Sequence, residues 1–272
     1  MNQATYDYID IGVNLTDNAF EKDRDQIIEA AADHGVSAMI ITGTTLSESE
    51  QAVKLCEQYP EALFCTAGIH PHYSSEYGSE TTSHLNDLLS HKQVVAIGET
   101  GLDFNRNFST PEQQIKAFEL QLELACETQL PLFLHERDAH QKQLEMLSHY
   151  RDNFSQAVAH CFTGSKQELF NYLDLDLYIG ITGWICDERR GQELQKLVKE
   201  IPANRLMLET DAPYLIPRDI RPKPKSRRNL PQYLPHIAAK VAELTGKPLD
   251  QLSHETYANS RAFFNLPPKA RQ

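Results

Sequence analysis

Eight short runs of apolar and β-branched residues recur along the chain, separated by longer stretches of helical period. The runs are YIDIGVN, AMIITGT, LFCTAGIH, VVAIGET, LPLFLHE, AVAHCFTG, LYIGITG and RLMLETDA. Each is strand-length and largely unbroken by charge, as a strand covered on both faces by helices must be. Between them, FEKDRDQIIEAAADHG puts Ile27, Ile28 and Ala31 on one face, and TPEQQIKAFELQLELACETQ does the same with Phe118, Leu122 and Ala125. Strand and helix in alternation build a parallel sheet, and eight such units in 272 residues close most simply into an α/β (β/α)8 TIM barrel. One domain over 1–272 is expected, since no linker, fixed-period repeat or low-complexity tract interrupts the pattern. An open doubly wound sheet is the alternative; it would carry a glycine fingerprint after its first strand, and GVNLTDNAF has none.

The ends of some elements are also legible. Thr110 as N-cap, Pro111 at the first helical position and Gln113 at the third come close to a capping box for the fourth helix, whose end Pro131 marks. After the eighth run, the stretch PRDIRPKPKSRRN leads into two terminal amphipathic helices with no strand between them.

Charge narrows the function. A net charge of −12 argues against a chain that coats nucleic acid by bulk attraction, but leaves room for a local phosphate site. PRDIRPKPKSRRN supplies one, with Arg218, Arg221, Lys223, Lys225, Arg227 and Arg228 against Asp219 alone, in a proline-rich loop that cannot be a continuous helix. The bland alternative is a solvated basic loop. Five scattered cysteines without a C-x-x-C pair suggest neither a disulfide framework nor a zinc-thiolate site, and read as small core residues. No apolar run is long enough for a bilayer, and the N-terminus has no signal-peptide character, so a cytoplasmic chain without membrane contact is expected, acting as a monomer.

In such a barrel the chemistry sits at the C-terminal ends of the strands. Those ends carry Asp10 on the first, His70 and His72 on the third, Glu99 and Asp103 on the fourth, His135, Arg137 and Asp138 on the fifth, His160 on the sixth, and Glu209 and Asp211 on the eighth. A single histidine after a buried strand is usually a hydrogen-bonded rim residue. His135 and His160, however, each close an otherwise uncharged strand, and carboxylates end the neighbouring ones. Imidazole and carboxylate together suit Zn, Mn or Fe, whereas Mg favours carboxylate and water. Glu99, His135, His160 and Asp211 form the expected ligand set for a metal that activates water for hydrolysis. Strand alternation would turn Cys161 away from such a metal. His34, His84, His91, His149 and His254 fall in polar helical contexts and read as surface residues, and no G-x-S-x-G elbow is present.

GIHPH, AIGETGLDFNRNFSTPEQQ, PLFLHERDAH, AHCFTG, YIGITGWICDERRG, LETDAPYLIPRD and SRRN resemble the TatD family of metal-dependent nucleases, from about Asp10 to the last helix. DIGVNLT and CDERRG resemble the branch that gives the family its name more than its paralogues. The resemblance implies an amidohydrolase-like barrel acting as a Mg-dependent 3′→5′ exonuclease on single-stranded DNA and RNA. It puts the family's metal ligands on Glu99, His135, His160 and Asp211. Two departures stand out: the family's D-x-H-x-H is here Asp10-Ile11-Gly12-Val13-Asn14, and Leu230 stands where RNEP has Glu.

These readings assign Asp211 and Glu99 to catalysis, with Asp211 as general base, and a divalent metal, Mg with Mn or Zn as alternatives, to Glu99, His135, His160 and Asp211. His70, His72, Arg137, Arg227 and Arg228 bind substrate phosphates, and Phe104, Trp184 and Tyr214 offer stacking surfaces. The first strand reads as a vacated second metal site, with Asp10, Gly12 and Asn14 on one face, and one tightly held metal per chain follows. The rivals are a small-molecule amidohydrolase, disfavoured by Glu99 at the place of a bridging lysine, and a catalytically dead binding barrel, disfavoured by the four retained ligands.

Overall fold

The structure, a computed structural model, describes residues 6–267. The expected domain, 1–272, runs beyond these residues at both ends. The strands are β1 (Tyr8–Val13), β2 (Val36–Ile41), β3 (Leu63–Ala67), β4 (Val94–Asp103), β5 (Leu132–Arg137), β6 (Ala157–Ala159), β7 (Tyr178–Ile181) and β8 (Leu206–Leu208). The helices α1 (Arg24–Asp33), α2 (Leu46–Gln58), α3 (Thr81–Leu89), α4 (Pro111–Thr128), α5 (His140–Tyr150), α6 (Lys166–Asp174) and α7 (Gln192–Leu197) lie between successive strands. Two more, α8 (Leu234–Thr245) and α9 (Leu249–Phe263), follow the barrel.

All eight strands are parallel and paired in sequence order. At the rim β8 returns to β1, with Asp211 N–H donating to Gly12 O and Asn14 N–H to Ala212 O, both at 2.8 Å. The sheet is therefore a nearly closed barrel, not an open wound sheet.

Side chains alternate across it. Ile9, Ile11, Ile40, Phe64, Phe133, Val158 and Met207 fill the interior, together with Phe263 and Phe264 from the end of α9. Tyr8, Val13, Met39, Leu132 and Leu134 belong to the outer core between sheet and helices. This is the layered packing that makes such a barrel a solid core. The α4 start is a full capping box: Thr110 accepts from Gln113 N–H, and the Gln113 side chain accepts from Thr110 N–H. The helix stops at Thr128 because Gln129 turns left-handed (φ 59°), two residues before Pro131.

Two departures from the sequence expectations shape the rim. The strands β6 and β8 are only three residues long, so His160, Cys161, Glu209 and Asp211 lie beyond them, where strand alternation no longer applies. In β1, Asp10 pairs with Met39 and the next pair is Val13 with Ile41, three residues opposite two. That bulge breaks the alternation. Gly12 consequently does not share a face with Asp10.

Candidate active site

The rim is built around Glu99 near the middle of β4. Its neighbour Gly98 has φ 144°, and a Cβ there would stand 2.3 Å from Phe133 O, so only glycine lets β4 run this close to β5. Glu99 Oε1 then lies 2.8 Å from His135 Nδ1, 3.4 Å from His70 Nε2 and 3.7 Å from His160 Nε2. Three imidazoles converge on one carboxylate oxygen.

What faces the other nitrogen of each ring decides what it can do. His160 Nδ1 is 2.6 Å from Glu209 Oε2, so the neutral ring carries its proton there and presents a lone pair at Nε2. His135 lies between two carboxylates, with Nδ1 2.8 Å from Glu99 Oε1 and Nε2 3.3 Å from Asp103 Oδ2, so Nδ1 is the nitrogen that faces Glu99. His70 is set the opposite way. Its Nδ1 accepts from the backbone N–H of His72 at 3.1 Å, so the neutral ring bears its proton on Nε2 and points a donor at Glu99. Two histidines are thus arranged as ligands and the third as a hydrogen-bond donor.

Glu209 is fully buried and also accepts from Cys161 N–H at 2.5 Å. It fits because two glycines face it: a Cβ at Gly12 or at Gly180 would lie 2.5 Å from one of its oxygens. Beside it, Asp211 accepts from Asn14 Nδ2 at 3.0 Å. The place of the family's first-strand histidines is therefore filled, with the Glu209 carboxylate against Gly12 and an amide at Asn14 holding Asp211. It is not a vacated site, and Asp10 has no part in it. Asp10 is buried and accepts from the backbone N–H and hydroxyl of Thr210, at 2.8 and 2.5 Å, tying β1 to the end of β8.

The electrostatics follow from crowding these groups. Burial works against charge on His160, but Glu209 and Glu99 outweigh it and raise its pKa to about 10. Burial is likewise outweighed at His135, where hydrogen bonds to Asp103 and Glu99 raise the pKa to about 9. His70 is pushed down to about 4 by burial, consistent with a neutral ring. Glu99 is held well below the usual range: burial opposes, but the His70 and His160 rings prevail. Asp211 is pushed up to about 7 by burial, with His160 opposing and the charges of Glu99 and Glu209 adding.

These groups open into a cavity of about 750 Å³. Its lining includes the acids Asp17, Glu48 and Asp211 and the arginines Arg106, Arg137 and Arg190. Sequence reasoning missed Arg106 and Arg190. Arg190 comes from CDERRG and stacks over Trp184 at 4.4 Å. Tyr214, 54% exposed, also lines the cavity and donates to Asp17 at 2.9 Å. Phe108, 67% exposed, stands edge-on to His72 with ring centroids 4.9 Å apart. Its exposure had no signal in the sequence.

Glu99, His135, His160 and Asp211 thus meet around one cavity, with His70, His72 and Arg137 on its walls. Three expectations fail. Arg227 and Arg228 do not reach the cavity; Arg228 is held by both oxygens of Asp23, at 2.9 and 2.6 Å, because the loop folds back over α1. Phe104 packs against the core rather than lining the cavity. Cys161 does not turn away: β6 has ended, its backbone is left-handed (φ 47°), and it lines the cavity with a ligand atom within 4.8 Å of those of His160 and Asp211. The five histidines read as surface residues are exposed, and Leu230 packs against the core at the start of a short turn of 3-10 helix.

The donor set fits a divalent ion. His135 Nδ1 and His160 Nε2 face the same Glu99 oxygen, each ring oriented by a buried carboxylate, and Asp211 stands alongside. Among the described residues no helix is long and apolar enough to cross a membrane.

Comparison with known proteins gives a consistent picture. The model of the family described as TatD related DNase matches residues 9–265. A protein of Erwinia tasmaniensis named 3′-5′ ssDNA/RNA exonuclease TatD is 55% identical over 257 residues, covering 94% of this chain and 99% of that one. Among solved structures, a hydrolase TatD family protein from Entamoeba histolytica superposes with a TM-score of 0.87 at 28% identity, covering 96% of this chain and 99% of the other. The TatD homologue YJJV from Escherichia coli gives a TM-score of 0.87 at 27% identity, covering 96% and 98%.

Proposed function

Because the chain belongs to the family of TatD-related DNases, we propose that it removes nucleotides from the 3′ end of single-stranded DNA and RNA by hydrolysing phosphodiester bonds. The observation that carries this reading is that one cavity is lined both by the clustered Glu99, His135, His160 and Asp211 and by Arg106, Arg137 and Arg190. A phosphodiester needs both sides: an electrophilic centre for its reacting oxygen and donors for the charge on its others.

Glu99, His135 and His160 would hold the divalent ion, which would supply Lewis acidity toward a phosphoryl oxygen and toward water. Asp211 stands beside them as the general base, with its carboxylate held by the Asn14 amide. His70 Nε2–H, Arg137, Arg106 and Arg190 donate to the remaining phosphate oxygens, with His72 beside them. Tyr214 and Trp184 give unpaired bases surfaces to stack on, which duplex DNA could not use. Mg is the metal of this reading; the two imidazole ligands suit Mn or Zn as well. A monomer in the cytoplasm belongs to this reading, and the free cysteines are in keeping with a reducing compartment.

The test is metal-stripped protein incubated with a 5′-labelled single-stranded oligonucleotide, with and without Mg or Mn. A ladder shortening from the 3′ end only when metal is added supports the reading. No cleavage with either ion, a single internal cut, or cleavage that survives chelation would contradict it.

A further inference from the structure

A second cluster of donor atoms lies away from this cavity, lining none of it. Cys186 closes the short 3-10 turn after β7 and is buried. Asp219 sits in the basic loop and His236 in the first turn of α8. His236 Nε2 is 2.6 Å from Asp219 Oδ1, and one ligand atom from each of Cys186, Asp219 and His236 falls within a common 4.8 Å. Three segments far apart in sequence thus bring sulfur, nitrogen and oxygen donors together.

We propose that Cys186, Asp219 and His236 form a binding site for one zinc-like divalent ion, which clamps the basic loop to the barrel rim. The donor set selects the ion: a thiolate and an imidazole favour Zn over Mg, and three protein ligands leave a fourth position for water. Charge balances as well, since a carboxylate, a thiolate and a neutral imidazole neutralise a dication. The ion would enter between His236 Nε2 and Asp219 Oδ1. Binding would replace the Cys186 S–H bond with an S–Zn bond, releasing that proton to solvent, while the His236 proton facing Asp219 would move to Nδ1 and free Nε2 as the neutral ligand. Access is open on one side, because the Asp219 and His236 side chains are 39% and 35% exposed. The loop is already held at Arg218 by Glu188 and at Arg228 by Asp23, and an ion at Asp219 would strengthen the hold beside Arg218.

Co²⁺ serves as the spectroscopic probe. Metal-stripped wild type, Cys161→Ser, Cys186→Ser and His236→Ala chains are titrated with Co²⁺, with near-ultraviolet circular dichroism verifying the fold. The Cys161→Ser chain removes the cavity thiol, so a thiolate-to-cobalt charge-transfer band remaining in it reports Cys186. The site predicts that this band saturates at one equivalent, is abolished by stoichiometric Zn²⁺ and survives excess Mg²⁺. It predicts loss of the band in the Cys186→Ser chain bearing Cys161→Ser, and at least about a 10-fold weaker response in His236→Ala. Tryptic cleavage after Lys225 should slow with Zn²⁺ in Cys161→Ser and not when Cys186→Ser is added. No band in Cys161→Ser, or a band indifferent to Cys186→Ser, overturns the site.

Discussion

His70, His135 and His160 surround one carboxylate oxygen, yet their hydrogen bonds give them different chemistry. Glu209 and Asp103 are the cause, since each fixes the ring whose other nitrogen faces Glu99. Replacing Glu209→Gln keeps the volume in the Gly12 and Gly180 cradle but removes the charge behind His160. We expect divalent-ion affinity to fall about 10–100-fold, measured by calorimetric titration, with the fold unchanged by circular dichroism. Protons report the same arrangement. With pKa values of about 9 and 10, His135 and His160 are protonated at pH 7 in the metal-free protein. Raised values mean the extra protons are held until pH climbs through 9 to 10, so an incoming ion must expel them. Affinity should therefore rise as pH rises from 6 towards 9, and calorimetry in buffers of different ionisation enthalpy should count about two protons released per ion. That Glu99, His135, His160 and Asp211 meet at one rim was legible in the sequence, because barrel strands end on a common face. The roles of Glu209 and Asp103 were not, since which nitrogen a carboxylate faces depends on strands far apart in sequence.

At the level of elements, the order of strands and helices was readable from periodicity alone, while the ends of strands were not. The bulge in β1 and the three-residue lengths of β6 and β8 arise from pairing with neighbours, which no local pattern records, and they are why Gly12, Cys161 and Asp10 point where they do. Gly12→His does not regenerate the family's second metal site, because Glu209 already fills that space and is anchored by His160 and Cys161. The expected outcome is overpacking that costs about 1–3 kcal/mol in urea unfolding, with no gain in bound metal by elemental analysis. Where local chemistry does decide, the sequence suffices: Thr110→Ala removes the acceptor of a capping box and should destabilise the fold by about 1 kcal/mol in the same assay.

Across the whole molecule, a net charge of −12 coexists with a cavity lined by three arginines, so the attraction proposed for nucleic acid is local. Arg190→Ala and Arg106→Ala should each flatten the log-log salt dependence of single-strand binding by about 0.7, measured by fluorescence anisotropy. Arg228→Ala should act mainly on stability, because its guanidinium is committed to Asp23. Composition alone could not separate these arginines; the path of the chain after β4, β7 and β8 does. The proposed hydrolysis needs one arrangement, in which Glu99, His135 Nδ1 and His160 Nε2 would hold the divalent ion. Anomalous diffraction from a crystal soaked in Mn²⁺ tests it most directly. The predicted result is a peak at the rim bonded to Glu99, to His135 Nδ1 and to His160 Nε2, with Asp211 beside it and His70 Nε2 outside the coordination shell. A peak ligated by His70 Nε2, or one that leaves His160 Nε2 unbound, would contradict it.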